Sequence, residues 1–222
     1  VEQALAGARE NSPWFVSLNG DWRFHWVPRP EEHVSRLSAF LTPGEDEAVC
    51  FGVWALADLE GLTLSVTGQG GVTVDVRYEH CWPQRTGWKS RQWYLTPELL
   101  LPCAEGKKTV PAQRGVLQEV PFDLAATQTV GFWLTVTAPP DARAGVHHLT
   151  VSLSTARRPR LELPLDVQVL PFKLQQPPDR SWLLYADAGR WTRMSEAQIM
   201  AELRDFARHG MTGLIEIPLG KP

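Results

Sequence analysis

The sequence predicts a mainly β protein, an antiparallel β-sandwich followed by one β-α-β unit. Three observations carry that expectation. Apolar and polar residues alternate with period two through several short runs separated by Gly- and Pro-rich turns. A proline-punctuated stretch then ends the alternation. Beyond it, apolar residues recur at helical spacing between two short apolar runs.

The first runs are Leu62, Leu64 and Val66 against Thr63, Ser65 and Thr67, then Val72, Val74 and Val76 against Thr73, Asp75 and Arg77. Gly68-Gln69-Gly70-Gly71 separates them, so both read as half-buried antiparallel strands. Phe132, Leu134 and Val136 alternate with Trp133, Thr135 and Thr137. Pro139-Pro140 ends that strand because proline cannot donate to a ladder, and Asp141 and Gly145 supply turn chemistry. Leu149, Val151 and Leu153 then alternate with His148, Thr150 and Ser152. Leu161, Leu163, Leu165, Val167 and Val169 follow, against Glu162, Asp166 and Gln168. Many short alternating strands of this kind point to a sandwich.

Residues 170–179, with Pro171, Pro177 and Pro178, read as a boundary. Trp182-Leu183-Leu184-Tyr185-Ala186-Asp187 is dominated by apolar side chains, which fits a parallel strand buried on both faces. Ser195 is a good N-cap with Gln198 at capping-box spacing. Ile199, Met200, Leu203, Phe206 and Ala207 form one apolar stripe, and Gly210 supplies the stop. Leu214-Ile215-Glu216-Ile217 is the second strand. A lone β-α-β unit cannot cover both faces of its own sheet, so partner strands are expected. The chain begins at Val1 and stops soon after that strand, and both ends read as cuts through a longer protein.

The totals exclude several classes. With 222 residues, 43% hydrophobic and 21% charged, the chain has the composition of an ordinary globular protein. A net charge of −3 with scattered Arg gives no nucleic-acid footprint, and no apolar run is long enough to span a bilayer. No signal peptide is visible. An extracellular or periplasmic location is compatible with the chain, and the compartment stays open. Cys50, Cys81 and Cys103 form no C-x-x-C motif; the odd count leaves room for one bridge, and free buried thiols are the simpler reading. His147 and His148 invite a metal-site reading. Consecutive strand residues face opposite ways, however, so the pair reads as structural and no metal or other cofactor is expected.

The ten Trp are the compositional anomaly, serving core and interface packing more readily than stacking on sugar rings. Trp82, Trp88 and Trp93 lie among Arg85, Lys89 and Arg91 and read as an exposed loop. Such a loop packs on a neighbouring domain or stacks on a glycan, and packing is favoured.

Four motifs in order carry a family resemblance. They are residues 51–66, FGVWALADLEGLTLSV; residues 94–102, YLTPELLLP; Phe132–Val136 with Pro140–Gly145; and Leu170–Leu174 followed by Tyr185 and His209-Gly210-Met211-Thr212. Together, over residues 37–217, they resemble bacterial glycoside hydrolases related to the family 123 β-N-acetylgalactosaminidases. In that group a β-sandwich precedes a (β/α)8 barrel. Residues 15–26, FVSLNGDWRFHW, also look like the start of a β-galactosidase sugar-binding domain.

The resemblance implies a fold class of antiparallel β-sandwich followed by the first βαβ unit of a truncated (β/α) barrel. It implies an N-terminal segment over 1–36, the sandwich over 37–172, a connection over 173–180 and the barrel start over 181–222. It also implies a glycan as partner of the full-length enzyme. Family members use an adjacent Asp-Glu pair on a later barrel strand, with the substrate's acetamido group as nucleophile, an exception to the two-carboxylate scheme. No position here matches that pair, so the fragment itself is expected to be inactive. Barrel active sites gather at the C-terminal ends of strands, which makes Tyr185, Asp187 and Glu216 candidate substrate-binding residues; each could equally cap a helix or pair with Arg190 or Arg193. Trp88 and Trp93 are the further candidates. A non-catalytic carbohydrate-binding or adhesion sandwich is the alternative.

Overall fold

A computed structural model describes residues 14–17, 28–85, 93–113, 116–175, 177–186 and 188–216. It divides into two compact units, residues 1–173 and 174–222.

The first unit is a two-sheet β-sandwich. Its strands are β1 (Trp14–Ser17), β2 (Leu37–Leu41), β3 (Asp46–Ala55), β4 (Thr63–Gln69), β5 (Thr73–Arg85), β6 (Trp93–Ala104), β7 (Lys107–Pro111), β8 (Leu117–Pro121), β9 (Thr129–Thr137), β10 (Gly145–Ser154) and β11 (Leu161–Val169). One sheet runs β1-β3-β9-β5-β6-β7-β8, the other β2-β11-β10-β4. Pairing is antiparallel throughout, except that β2 joins β11 in parallel.

The period-two alternation does what the pattern dictates. Phe132, Leu134 and Val136 from β9 meet Val151 and Leu153 from β10 and Leu163, Leu165 and Val167 from β11 in one buried cluster. Each such side chain contributes about 1.5–3 kcal/mol by leaving water. Ring contacts run through it: Phe51 lies 5.6 Å from Phe132, Phe132 5.9 Å from Phe122, and Phe122 5.3 Å from Tyr78.

Two Gly/Pro turns do something alternation alone does not reveal. The turn after Gln69 separates strands that never pair; β4 sits in the four-stranded sheet and β5 in the seven-stranded one. The Pro139–Gly145 turn likewise moves the chain between sheets, from β9 to β10. Gly68 shows why glycine is needed there. Its φ is +148°, and a Cβ would stand 2.7 Å from the His148 carbonyl oxygen.

His147 and His148 do face opposite ways. His147 Nε2 donates to the Arg143 carbonyl at 2.8 Å. His148 Nδ1 donates to Asp166 Oδ1 at 2.7 Å, and Arg36 reaches the other oxygen of that carboxylate at 2.5 Å. The bond from His148, with Arg36 beside it, holds the Asp166 carboxyl below its ordinary range.

The second unit contains β12 (Leu183–Ala186), α1 (Ala188–Trp191), α2 (Glu196–Arg208) and β13 (Gly213–Glu216). β12 and β13 pair in parallel, Leu183 opposite Gly213 and Ala186 opposite Glu216. Ser195 caps α2 in a full capping box with Gln198, as its spacing predicts. Trp182 and Thr212 clamp the strand starts, the Trp182 N–H donating to Thr212 Oγ1 and the Thr212 N–H to the Trp182 carbonyl, both at 2.8 Å.

One expectation fails here. The run 182–187 reads as a strand buried on both faces, yet Leu183 is 50% exposed and Trp182 is also exposed. The reason is physical: β12 has a single neighbour, β13, among the described residues. Two strands and one long helix supply too little surface to cover both faces of a sheet.

Candidate functional site

The most elaborate feature of the sandwich is the β5–β6 hairpin and the cavity at its root. β5 pairs with β9 only as far as Tyr78, while its pairing with β6 continues to Arg85 opposite Trp93. A register shift between His80 and Cys81 marks the point of departure, where bulges bend and twist a strand. Beyond it, Trp82 Nε1 and Gln84 Nε2 both donate to Glu98 Oε2. The Arg85 guanidinium lies 4.8 Å from the centroid of Trp93, whose side chain is 57% exposed. Trp82 and Trp93 therefore stand on paired strands, not in a loop as their polar neighbours suggest. Cross-strand pairing supplies the backbone partners that a loop would seek in water. Trp88 lies outside the described residues.

The cavity has a volume of about 360 Å3 and is lined by Tyr78, Glu79, His80, Cys81, Leu95, Lys108, Phe122, Leu124, Gln128, Thr129 and Val130. Tyr78 and Phe122 bring its wall into the core. The Tyr78 hydroxyl donates its proton to the Thr109 carbonyl at 2.5 Å. It can then only accept from His80 Nδ1, 3.2 Å away, so that nitrogen carries hydrogen. Burial, aided by the Lys108 cation, pushes the His80 pKa below its ordinary value. Burial also lowers Lys108, against the pull of Asp123. Lys108 Nζ rests 4.8 Å from the Phe122 ring centroid and 5.9 Å from that of Tyr78.

Glu79 is the acid of this wall. Its Oε2 is buried with no hydrogen-bond partner, and burial raises its pKa to about 7. The same desolvation raises the thiols of Cys50, Cys81 and Cys103 to about 11. None of the three is in a disulfide and all are half-buried, so at neutral pH they are packing groups rather than nucleophiles.

In the second unit Tyr185 occupies β12 and is 69% exposed. Glu216 is the last residue of β13. Asp187 lies outside the described residues. The parallel register sets Ala186 beside Glu216, so the two strands end level. Arg190 donates to Glu202 on α2, which also accepts from Trp191 Nε1 at 3.0 Å. Among the described residues, no group of three or more His, Cys, Asp or Glu is placed to hold a metal ion, and no helix is long and apolar enough to cross a membrane.

The cavity is absent from the sequence-derived candidates. A signal for it existed: His80 is in phase with Val74, Val76 and Tyr78, so the alternation places an imidazole on the inward face. Lys108 carries no such mark, because its neighbours Lys107 and Thr109 are equally polar.

No protein-family model matches the chain, and no curated protein does. Among solved structures, the chain is similar to a family 123 glycoside hydrolase from Clostridium perfringens, described for glycolipid glycan hydrolysis. The TM-score is 0.60 at 9% identity, covering 91% of this chain and 37% of that one. The chain thus spans little more than a third of that enzyme's length, and at this identity the likeness is one of fold. A Bacteroides ovatus GH5 xyloglucanase is more distant, with TM-score 0.30 at 8% identity over 84% of this chain and 25% of that one. So is the adhesin CfaE of enterotoxigenic E. coli, with TM-score 0.32 at 10% identity over 73% and 49%. Neither of these two bears on fold or function.

Proposed function

We propose that this chain is the accessory sandwich and the start of the catalytic barrel of a carbohydrate-active glycoside hydrolase, and that it does not cleave glycosides by itself. The observation that supports this reading best is the fold likeness to the family 123 enzyme, which extends over 91% of the chain, too much to be confined to the sandwich. The exposed apolar faces of β12 agree with it, since barrel strands are covered by helices on one side and by the packed barrel interior on the other. On this reading Tyr185, Asp187 and Glu216 line the substrate side at the strand ends. The acid that protonates the leaving oxygen comes from later strands.

The test is a comparison of two polypeptides on an aryl N-acetyl-β-galactosaminide. The chain extended through its natural reading frame turns the substrate over and residues 1–222 alone do not. Turnover by residues 1–222 alone, or a reading frame with no further β-α units beyond Pro222, contradicts the proposal.

A second reading, a non-catalytic carbohydrate-binding module, is favoured by one observation. Trp93 is exposed, and Arg85 stacks on its ring and stiffens it. Trp88, the other tryptophan candidate, belongs to the same reading. It predicts glycan-array binding by this chain that Trp88→Ala or Trp93→Ala abolishes. An array without binding rejects it.

A further inference from the structure

The cavity at the root of the β5–β6 hairpin has the dimensions and wall chemistry of a ligand site, and nothing in the hydrolase reading uses it. Its volume of about 360 Å3 falls within the usual range for small-molecule pockets, about 300–1,000 Å3. Most of its wall is apolar: Leu95, Leu124 and Val130 face it together with the rings of Tyr78 and Phe122.

Lys108 is the group this wall leaves unanswered. Its ammonium is half-buried against two aromatic rings. Among the described residues it makes no hydrogen bond and no ion pair within 4 Å, although neighbouring Lys107 pairs with Glu119 at 3.7 Å. Asp123 attracts it from a distance, but that carboxylate is engaged in accepting the Gly61 N–H at 2.9 Å. A desolvated cation whose counter-charge is distant and already engaged is costly, and an anion entering the cavity would relieve that cost. Glu79, the acid in the lining, offers little opposition: buried with Oε2 unpartnered, it is held largely protonated below neutral pH.

We propose that this cavity binds a small carboxylate carried on a six-membered ring, with the anion at Lys108 and the ring against the apolar wall. The ring could come from an aromatic acid or from a hexuronic acid. Both share the carboxylate-on-ring chemistry, and the measurement separates them. The proposal stands apart from the hydrolase reading, since it concerns the sandwich alone and needs no turnover.

The test is a titration of the isotope-labelled chain at pH 6, following the backbone amides of Tyr78, His80, Lys108 and Phe122. The probes are benzoate, glucuronate and, as a neutral ring, benzyl alcohol. The expected result is saturable shifts with benzoate, glucuronate or both, and no saturation with benzyl alcohol; whichever acid binds names the source of the ring. Lys108→Met should weaken that binding at least about tenfold, and Lys108→Arg should retain it. Failure of both acids to saturate, equal binding of benzyl alcohol, or unchanged binding by Lys108→Met would overturn the proposal. Should Lys108→Met not fold, the comparison of whichever acid binds with benzyl alcohol on Lys108→Arg still decides it: saturation by the acid alone supports the proposal, and equal binding of the alcohol or loss of both overturns it.

Discussion

Glu79 shows how one residue can make the stability of a whole sheet depend on pH. Its carboxyl titrates near 7 in the folded chain against an ordinary value of 4.5, because burial disfavours the charge. The folded state therefore binds this proton more tightly than the unfolded state does. The stabilisation is complete below about pH 4.5, is lost as pH rises towards 7, and stays lost above that. Glu79 is only half-buried, so solvent screening reduces the effect to about 1–2 kcal/mol. Glu79→Gln should remove that dependence. Thermal unfolding followed from pH 5 to pH 8 should show the wild-type midpoint falling more steeply than the variant's, and parallel curves would refute the assignment. A second prediction concerns Phe132, which is fully buried between Phe51 and Phe122. Phe132→Ala should cost about 3–5 kcal/mol of sandwich stability in denaturant unfolding.

Among the elements, strands were legible wherever one face is apolar, and what they pair with was not. Leu149, Val151 and Leu153 declare β10 by alternation, yet nothing in that pattern says that β10 lies between β11 and β4. Alternation reports which face is buried, and pairing depends on contacts far apart in sequence. Residues 81–85 and 93–97 were harder still. Both faces of this hairpin carry polar groups, so the strand period is lost and only the pairing reveals it. Helix α2, by contrast, was fixed by local chemistry, and its cap followed the sequence directly. Ser195→Ala should therefore cost about 1 kcal/mol and reduce helical signal in circular dichroism. Two glycines make a contrasting pair. At Gly68 a Cβ would meet backbone at 2.7 Å and 2.8 Å with φ at +148°, so Gly68→Ala should destabilise the β4–β10 pairing by about 2 kcal/mol or more. At Gly213 the added Cβ would meet only the Leu183 Cδ2 atom, at 2.8 Å, the far end of a half-exposed side chain that can turn away. Gly213→Ala should change stability by less than about 1 kcal/mol. Equal losses at the two positions, read by denaturant unfolding, would contradict this account.

At the scale of the molecule, the two units differ in how their apolar surface is used. Unit 1 encloses one continuous core built from both sheets. Unit 2 has no fully buried residue in α2 and leaves Trp182, just before β12, and Leu183 and Tyr185 on it exposed. Pro171, Pro177 and Pro178 interrupt both periods in the stretch where the units divide, at residues 173 and 174. The sequence could not mark the uncovered state of β12, since an apolar run reads the same whether or not its partners are present. The site followed the same division. The strand-end candidates came from a barrel analogy, whereas the cavity required Tyr78, Lys108 and Phe122, from three separate strands and their turns, to be brought together. On the proposed reading, unit 1 holds its fold by its own core, whereas unit 2 relies on further strands for its cover. Hydrogen exchange followed by mass spectrometry tests it most directly. Amides of β9, β10 and β11 should stay protected orders of magnitude longer than those of β12 and β13, which open locally at little cost. Protection in β12 and β13 equal to that of the sandwich would show a self-sufficient second unit and contradict the account.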